Sequence, residues 1–242
     1  MREQPSTPDP RIARDIEAYR SGELPPELYS TLLEGVLVGT VDQPPTPRQR
    51  LAELPSRVRV AGALVVMGLV GAGGTLGRVR GDLDGTAALA LMAGFLLLTA
   101  LAVVCVDLAL RSMHRPTSDS RWRAIVLGGL LIPLTASVLP IWPGVDSRGE
   151  SWLQAVAGCG APGLLASVVA AAGVLLLQRD ASPVLWRVAS AGAAGGIVGF
   201  IARVASCPAA DLGHMVVAHG SFGLVTAALC VGAVRLRRGA LS

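Results

Sequence analysis

Lysine is absent from this chain: all 21 basic residues are arginines, set against 17 acidic ones. Charge of either sign is scarce, at 16% of residues, where an ordinary soluble domain carries about 25%. Aromatic residues make up only 4%, so the chain has few of the large side chains that fill a water-soluble core. Catalytic signatures are missing too. There is no Walker loop, no HExxH, no CxxC and no nucleophile elbow, which leaves no visible basis for phosphoryl transfer, zinc proteolysis, dithiol catalysis or serine hydrolysis. No long apolar run opens the chain, so no cleavable signal peptide is expected.

What the chain has is alanine, leucine, valine and 29 glycines, with hydrophobic residues at 52% and a mean hydropathy of +0.55. This mass is unevenly placed. Residues 1–57 are polar and Pro-rich, and beyond Val58 long apolar runs alternate with short Arg-bearing joints. A run of about 18 or more apolar residues can span a bilayer as a helix. Six such runs are visible, near Val60–Gly77, Thr86–Leu110, Ala124–Trp142, Trp152–Leu177, Val184–Ala205 and Leu212–Val234. A backbone in lipid must satisfy its own hydrogen bonds, so each is expected to be a helix. The expected fold is all-α, a six-helix transmembrane bundle with a short helical tail. Its parts are a tail over 1–57, a membrane domain over 58–235 and a C-terminal tail over 236–242.

The arginines orient the bundle. Counted from Arg48 onward, thirteen fall just before the first run, in the joints after the second and fourth runs, and at the C-terminus; only Arg78, Arg80, Arg148 and Arg203 fall toward the other side. By the positive-inside rule both termini are cytoplasmic, and in a bacterium this implies a multi-pass inner-membrane protein in contact with lipid. The isoelectric point near 9.3 then reflects topology, and no direct nucleic-acid contact is expected.

The tail offers two short amphipathic helices. In "PDPRIARDIEAYRSGELPP", Asp9 suits an N-cap, Pro10 a first helical position and Gly22 a stop. Ile12, Ile16 and Tyr19 share a face there, and Leu28 and Leu32 form a stripe in "PPELYSTLLEGVLVG". Two such helices bury little alone. They either lie on the membrane surface or dock into a partner's groove.

Chemistry-bearing residues are few: His114, His214, His219, Cys105, Cys159, Cys207 and Cys230. His114 sits in an Arg-rich joint and reads as solvated. Cys105 and Cys230 lie within apolar runs and read as small apolar residues. Cys159 and Cys207, with His214 and His219 in "SCPAADLGHMVVAHG", all fall near one membrane boundary on consecutive spans. The set suits a soft metal ion or a thiol–disulfide pair. A regular α-helix sets residues five apart about 140° off a common face, so a shared ligand for both histidines requires an irregular helix start. Arg203 and Asp107 sit close enough to an interface to reach water. Gly73 with Gly77, Gly192 with Gly196, and Gly195 with Gly199 have the small-xxx-small spacing that lets helices approach.

The six-run layout, the tail of about 57 residues and the "C…CP" pair resemble the NrsF-like (DUF1109) membrane anti-sigma factors. The likeness is most detailed from "ESWLQAVAGCG" through "LWRVASAGAAGGIVGFIARVASCP", covering Trp152, Cys159, Arg187, Gly192, Gly196, Gly199 and Cys207. "IEAYRSGELPPEL" also resembles the opening helix of anti-sigma domains. The chain departs from the family early in the sixth span, where "HMVVAHGSFG" replaces an aromatic pair. The zinc motif of some anti-sigma domains is missing, since no His or Cys precedes Cys105. The resemblance implies a non-enzymatic regulator that needs no cofactor, a metal ion being the one candidate. Its tail would hold an extracytoplasmic-function sigma factor through Ile12, Ile16, Tyr19, Leu28 and Leu32 and release it on an envelope stress signal sensed at Cys159 and Cys207, with His214 and His219 beside them. The competing reading is a membrane thiol oxidoreductase or metal-handling protein that uses the same four residues.

Overall fold

The computed structural model describes residues 47–75, 85–111, 120–138, 152–178, 184–209 and 211–240. The tail positions Ile12, Ile16, Tyr19, Leu28 and Leu32, and His114 with them, lie outside the described residues. Helix α1 (Pro47–Glu53) leads into α2 (Ser56–Thr75), α3 (Gly85–Leu110) and α4 (Ser120–Val138). Helix α5 (Trp152–Ala155) passes through a π-helical turn (Val156–Gly160) into α6 (Ala161–Leu176), and α7 (Leu185–Val204) follows. The last span repeats the irregularity: α8 (Leu212–Met215), a second π-helical turn (Val216–Gly220), then α9 (Phe222–Gly239). No strand occurs among the described residues.

Six of these segments are long and apolar enough to cross a membrane, so the expected all-α six-helix transmembrane bundle is the observed fold. A 20-residue segment such as α2 rises about 30 Å, the thickness of a bilayer core. Mean hydropathy is greatest in the α3 span, at 2.7, and its Leu89, Leu96 and Leu97 lie open at the bundle surface as lipid-facing side chains would.

Helix α7 is the axis of the bundle. Every residue from Ser190 to Phe200 is buried, and α2, α3, α4, α6 and α9 all pack against it. Glycine makes this possible. A Cβ on Gly196 would collide with the Cα of Gly223 in α9, and one on Gly199 with the Ser167 hydroxyl in α6. The Gly192/Gly196 pair therefore seats α9 and the Gly195/Gly199 pair seats α6, on faces roughly 60° apart at 100° per residue. The expected role of Gly73 is not observed, because nothing lies within 4 Å of where its Cβ would be. Its neighbour Gly74 makes the close approach instead: a Cβ there would lie 3.0 Å from the Ala202 methyl. The helix simply turns the next residue inward.

One end of the bundle is fastened by polar side chains. Arg59 donates to the Leu54 carbonyl and to the Leu177 carbonyl, each at 3.2 Å. Gln178 donates to the Ala109 carbonyl at 3.1 Å. Asp107 pairs with Arg111 at 2.7 Å, and the Arg111 guanidinium lies 4.0 Å over the Trp122 ring, so these charges serve the helix ends. Cys105 is fully buried in the apolar core, as expected of a small apolar residue. The opposite end carries both π-helical turns and Cys207.

Candidate functional site

The C-terminus of α7 and the start of the last span set three of the four chemical residues. The Cys207 backbone N–H donates to the Arg203 carbonyl at 2.7 Å, ending the helix and folding the cysteine back over it. The Asp211 carboxylate then accepts from the His214 backbone N–H at 2.8 Å. This cap satisfies one of the orphan donors of a helix start and fixes where His214 enters the bundle.

The π-helical turn over Val216–Gly220 brings His219 round to join it. The Ser221 N–H bonds the Val216 carbonyl, five residues back, at 3.0 Å. One extra residue per turn cancels most of the 140° that separates such positions in an α-helix. The two Nε2 atoms lie 3.1 Å apart. Histidines that α-helical arithmetic separates are therefore brought together by the irregular helix start that a shared ligand requires. Gly220 permits the bulge to sit against α4, since a Cβ there would come 2.5 Å from the Ser137 hydroxyl.

The first π-helical turn carries Cys159. Its cause is visible in the sequence: Pro162 has no N–H to give to the residue four back, and its ring crowds that carbonyl. The helix opens by one residue just before it, and Cys159 points across to Cys207 with the sulfurs 3.0 Å apart. Both cysteines are free thiols. The Cys207 sulfur also lies 3.4 Å from the His214 Nε2. Ligand atoms of Cys159, Cys207, His214 and His219 all fall within 4.8 Å of one another, and all but Cys159 are buried.

Arg203 belongs to the site as well. Its place near the interface leaves water within reach of so long a side chain. It is instead buried, with a guanidinium nitrogen 3.5 Å from the Cys159 sulfur. Its Nε has no partner among the described residues. Gly163 makes its slot, because a Cβ there would strike the Phe222 ring and come 2.5 Å from the Arg203 Cγ. Phe222 in turn flanks His219, with ring centroids 6.2 Å apart. Arg203 sits four residues before Cys207, on its helical face, and that spacing was the signal available in the sequence. Gly163 and Phe222 left none. The Cys207 thiol, which lies between spans, is pushed above the ordinary thiol range by its contact with the Cys159 sulfur and by burial.

Two thiols, two imidazoles and one guanidinium thus share a small, largely buried volume. Such a group can hold a metal ion. Its two sulfurs are also placed to be joined by an oxidant. Comparison with known proteins gives no match: no family model, no curated protein and no solved structure is similar to the chain.

Proposed function

We propose that this protein is a membrane-embedded regulator, an anti-sigma factor of the inner membrane with both termini in the cytoplasm. Its tail holds an extracytoplasmic-function sigma factor, and the Cys/His site on the outer side receives the releasing signal. One observation carries the sensing half: three separate spans deliver Cys159, Cys207, His214 and His219 to one point within 4.8 Å. A change in bonding there alters how α6, α7 and the last span fit together. A signal acts on a distant tail only through such a difference in stability between two packings. The tail half rests on the amphipathic stripes and on the family resemblance. The competing oxidoreductase reading draws on the same four residues, but the sequence has no CxxC.

The test is co-purification of the full-length chain from native membranes. The expected result is a sigma factor bound to the wild type and lost from Ile16→Asp and Leu32→Asp, because an unpaired carboxylate in an apolar interface costs several kcal/mol. Cys159→Ser and Cys207→Ser should retain the partner but no longer release it under stress. Wild-type membranes that yield no sigma factor, or equal yields from both Asp variants, would remove the anti-sigma reading.

A further inference from the structure

We infer that the ligand of this site is a single thiophilic divalent cation of d10 type, zinc or a heavier congener, held by Cys159, Cys207, His214 and His219 together. The inference rests on the sensing half of the proposed function and not on the identity of the tail's partner. Geometry is the first argument. A tetrahedral ion bonded at about 2.0–2.1 Å to nitrogen and about 2.3 Å to sulfur separates its ligand atoms by roughly 3.3 to 3.8 Å. The observed separations are 3.1 Å between the imidazole nitrogens and 3.4 Å between Cys207 and His214. The sulfurs, at 3.0 Å, must spread by about 0.75 Å to reach the separation of two sulfurs on one tetrahedral ion, and the widest spacing in the set, up to 4.8 Å, must close by about 1 Å. Two thiolates and two neutral imidazoles form a common closed zinc set.

The facing imidazole nitrogens are the second argument. A neutral imidazole carries one ring proton. The Nε2 atoms of His214 and His219 face each other, and the Nδ1 atoms of both are buried with no hydrogen-bond partner among the described residues. Without an ion, one Nε2 proton must lie between the rings, leaving a bare Nδ1 on one and a stranded Nδ1–H on the other. With an ion, both Nε2 lone pairs are used at once, and each ring carries its proton on Nδ1. On entry the ion displaces the two thiol protons to solvent, so a dication meets two thiolates and the net charge of the pocket is unchanged.

Arg203 is the positioning residue. It bonds Cys159 from the side, as outer-sphere donors orient and tune metal thiolates. Its charge favours two thiolates and opposes a third cationic group. Among the described residues no carboxylate joins the cluster, so hard, oxygen-seeking ions such as calcium or magnesium find none of the ligands they need.

The test uses the purified, reduced full-length chain in detergent, titrated with cobalt(II) without oxygen. The expected result is one cobalt per chain, with the strong visible bands of a tetrahedral site and a near-ultraviolet thiolate charge-transfer band, both erased by equimolar zinc. Cys159→Ser and Cys207→Ser should each weaken the charge-transfer band, and His219→Gln should change the visible bands while keeping it. Arg203→Gln should loosen zinc by about tenfold to a hundredfold with the visible spectrum largely preserved. Circular dichroism of each variant separates loss of metal from loss of fold. Weak octahedral bands, or equal affinity in a folded Cys159→Ser/Cys207→Ser double variant, would overturn the inference. Neither outcome would bear on whether the tail binds a sigma factor.

Discussion

At the scale of single residues, the site depends on a glycine, which has no side chain of its own. Gly163 gives Arg203 and Phe222 their places, since both occupy the volume its side chain would take. Gly163→Ala is therefore expected to act twice. Overpacking of this kind costs about 1–3 kcal/mol, and the displaced Arg203 stem should leave Cys159 without its donor. Thermal unfolding followed by size-exclusion chromatography reads the first effect, and the rate of Cys159 alkylation reads the second. A variant as stable as wild type with unchanged thiol reactivity would show that the slot is not needed. The nearness of Cys159 and Cys207 could be read from sequence, because both stand beside one membrane boundary on adjoining spans. The inward turn of Arg203 could not. A long side chain near an interface has water within reach, and only the packing around Gly163 shows that it takes the other course.

At the scale of elements, the π-helical turns decide which side chains meet. A π-helical turn is an α-helix carrying one residue too many, which yields a prediction opposite to the usual expectation for deletions. Removing Val217, which is partly exposed, should restore a regular helix with the histidines four apart, still on one face. Metal affinity should then fall by less than about tenfold, in keeping with preserved ligands. Inserting an alanine after Val217 should instead separate the histidines and abolish tetrahedral cobalt binding. Equal loss from deletion and insertion would mean that the bulge itself, rather than the shared face, is required. The turn before Pro162 has a local cause, the proline itself. The turn after Met215 has no proline beside it, and α-helical spacing set its two histidines apart. Its cause is tertiary: the Asp211 cap and the close seating of Gly220 on α4 hold both ends while the chain between them carries the surplus residue.

At the scale of the whole molecule, Arg59, Arg111 and Arg123 mark one end of the bundle and the site marks the other. Reporter fusions near Thr117 and after Ser242 should read cytoplasmic, and fusions near Asp146 should read external. An external reading near Thr117 would invert the order of spans and place the Cys/His site in the reducing interior. Six spans could be read from apolar length alone, because lipid imposes that length on any helix that crosses it. Their arrangement could not be read this way: nothing in hydropathy says that α7 lies at the centre. Its glycine pairs gave that hint, and the hint becomes decisive only when Gly192/Gly196 and Gly195/Gly199 are seen to face different helices.

The central place of α7 also bears on how the protein is made. This helix has a mean hydropathy of 1.4, about half that of the α3 span at 2.7. Burying nearly all of it among other helices leaves little outer surface selected for contact with acyl chains. Arg187 and Arg203 are both buried within it, and charged groups near the bilayer raise the cost of entry for a lone helix. Emerging from the ribosome, α7 is thus a poor stand-alone client of the insertion machinery, and its seat is completed only when α9, which follows it in the chain, arrives. A nascent chain halted at Asp211 should leave α7 extractable by alkali or open to proteases, whereas one extended through Gly239 should hold it firmly. Assembly of the last three spans is then a late, joint event, and the Cys/His site comes into being at that moment.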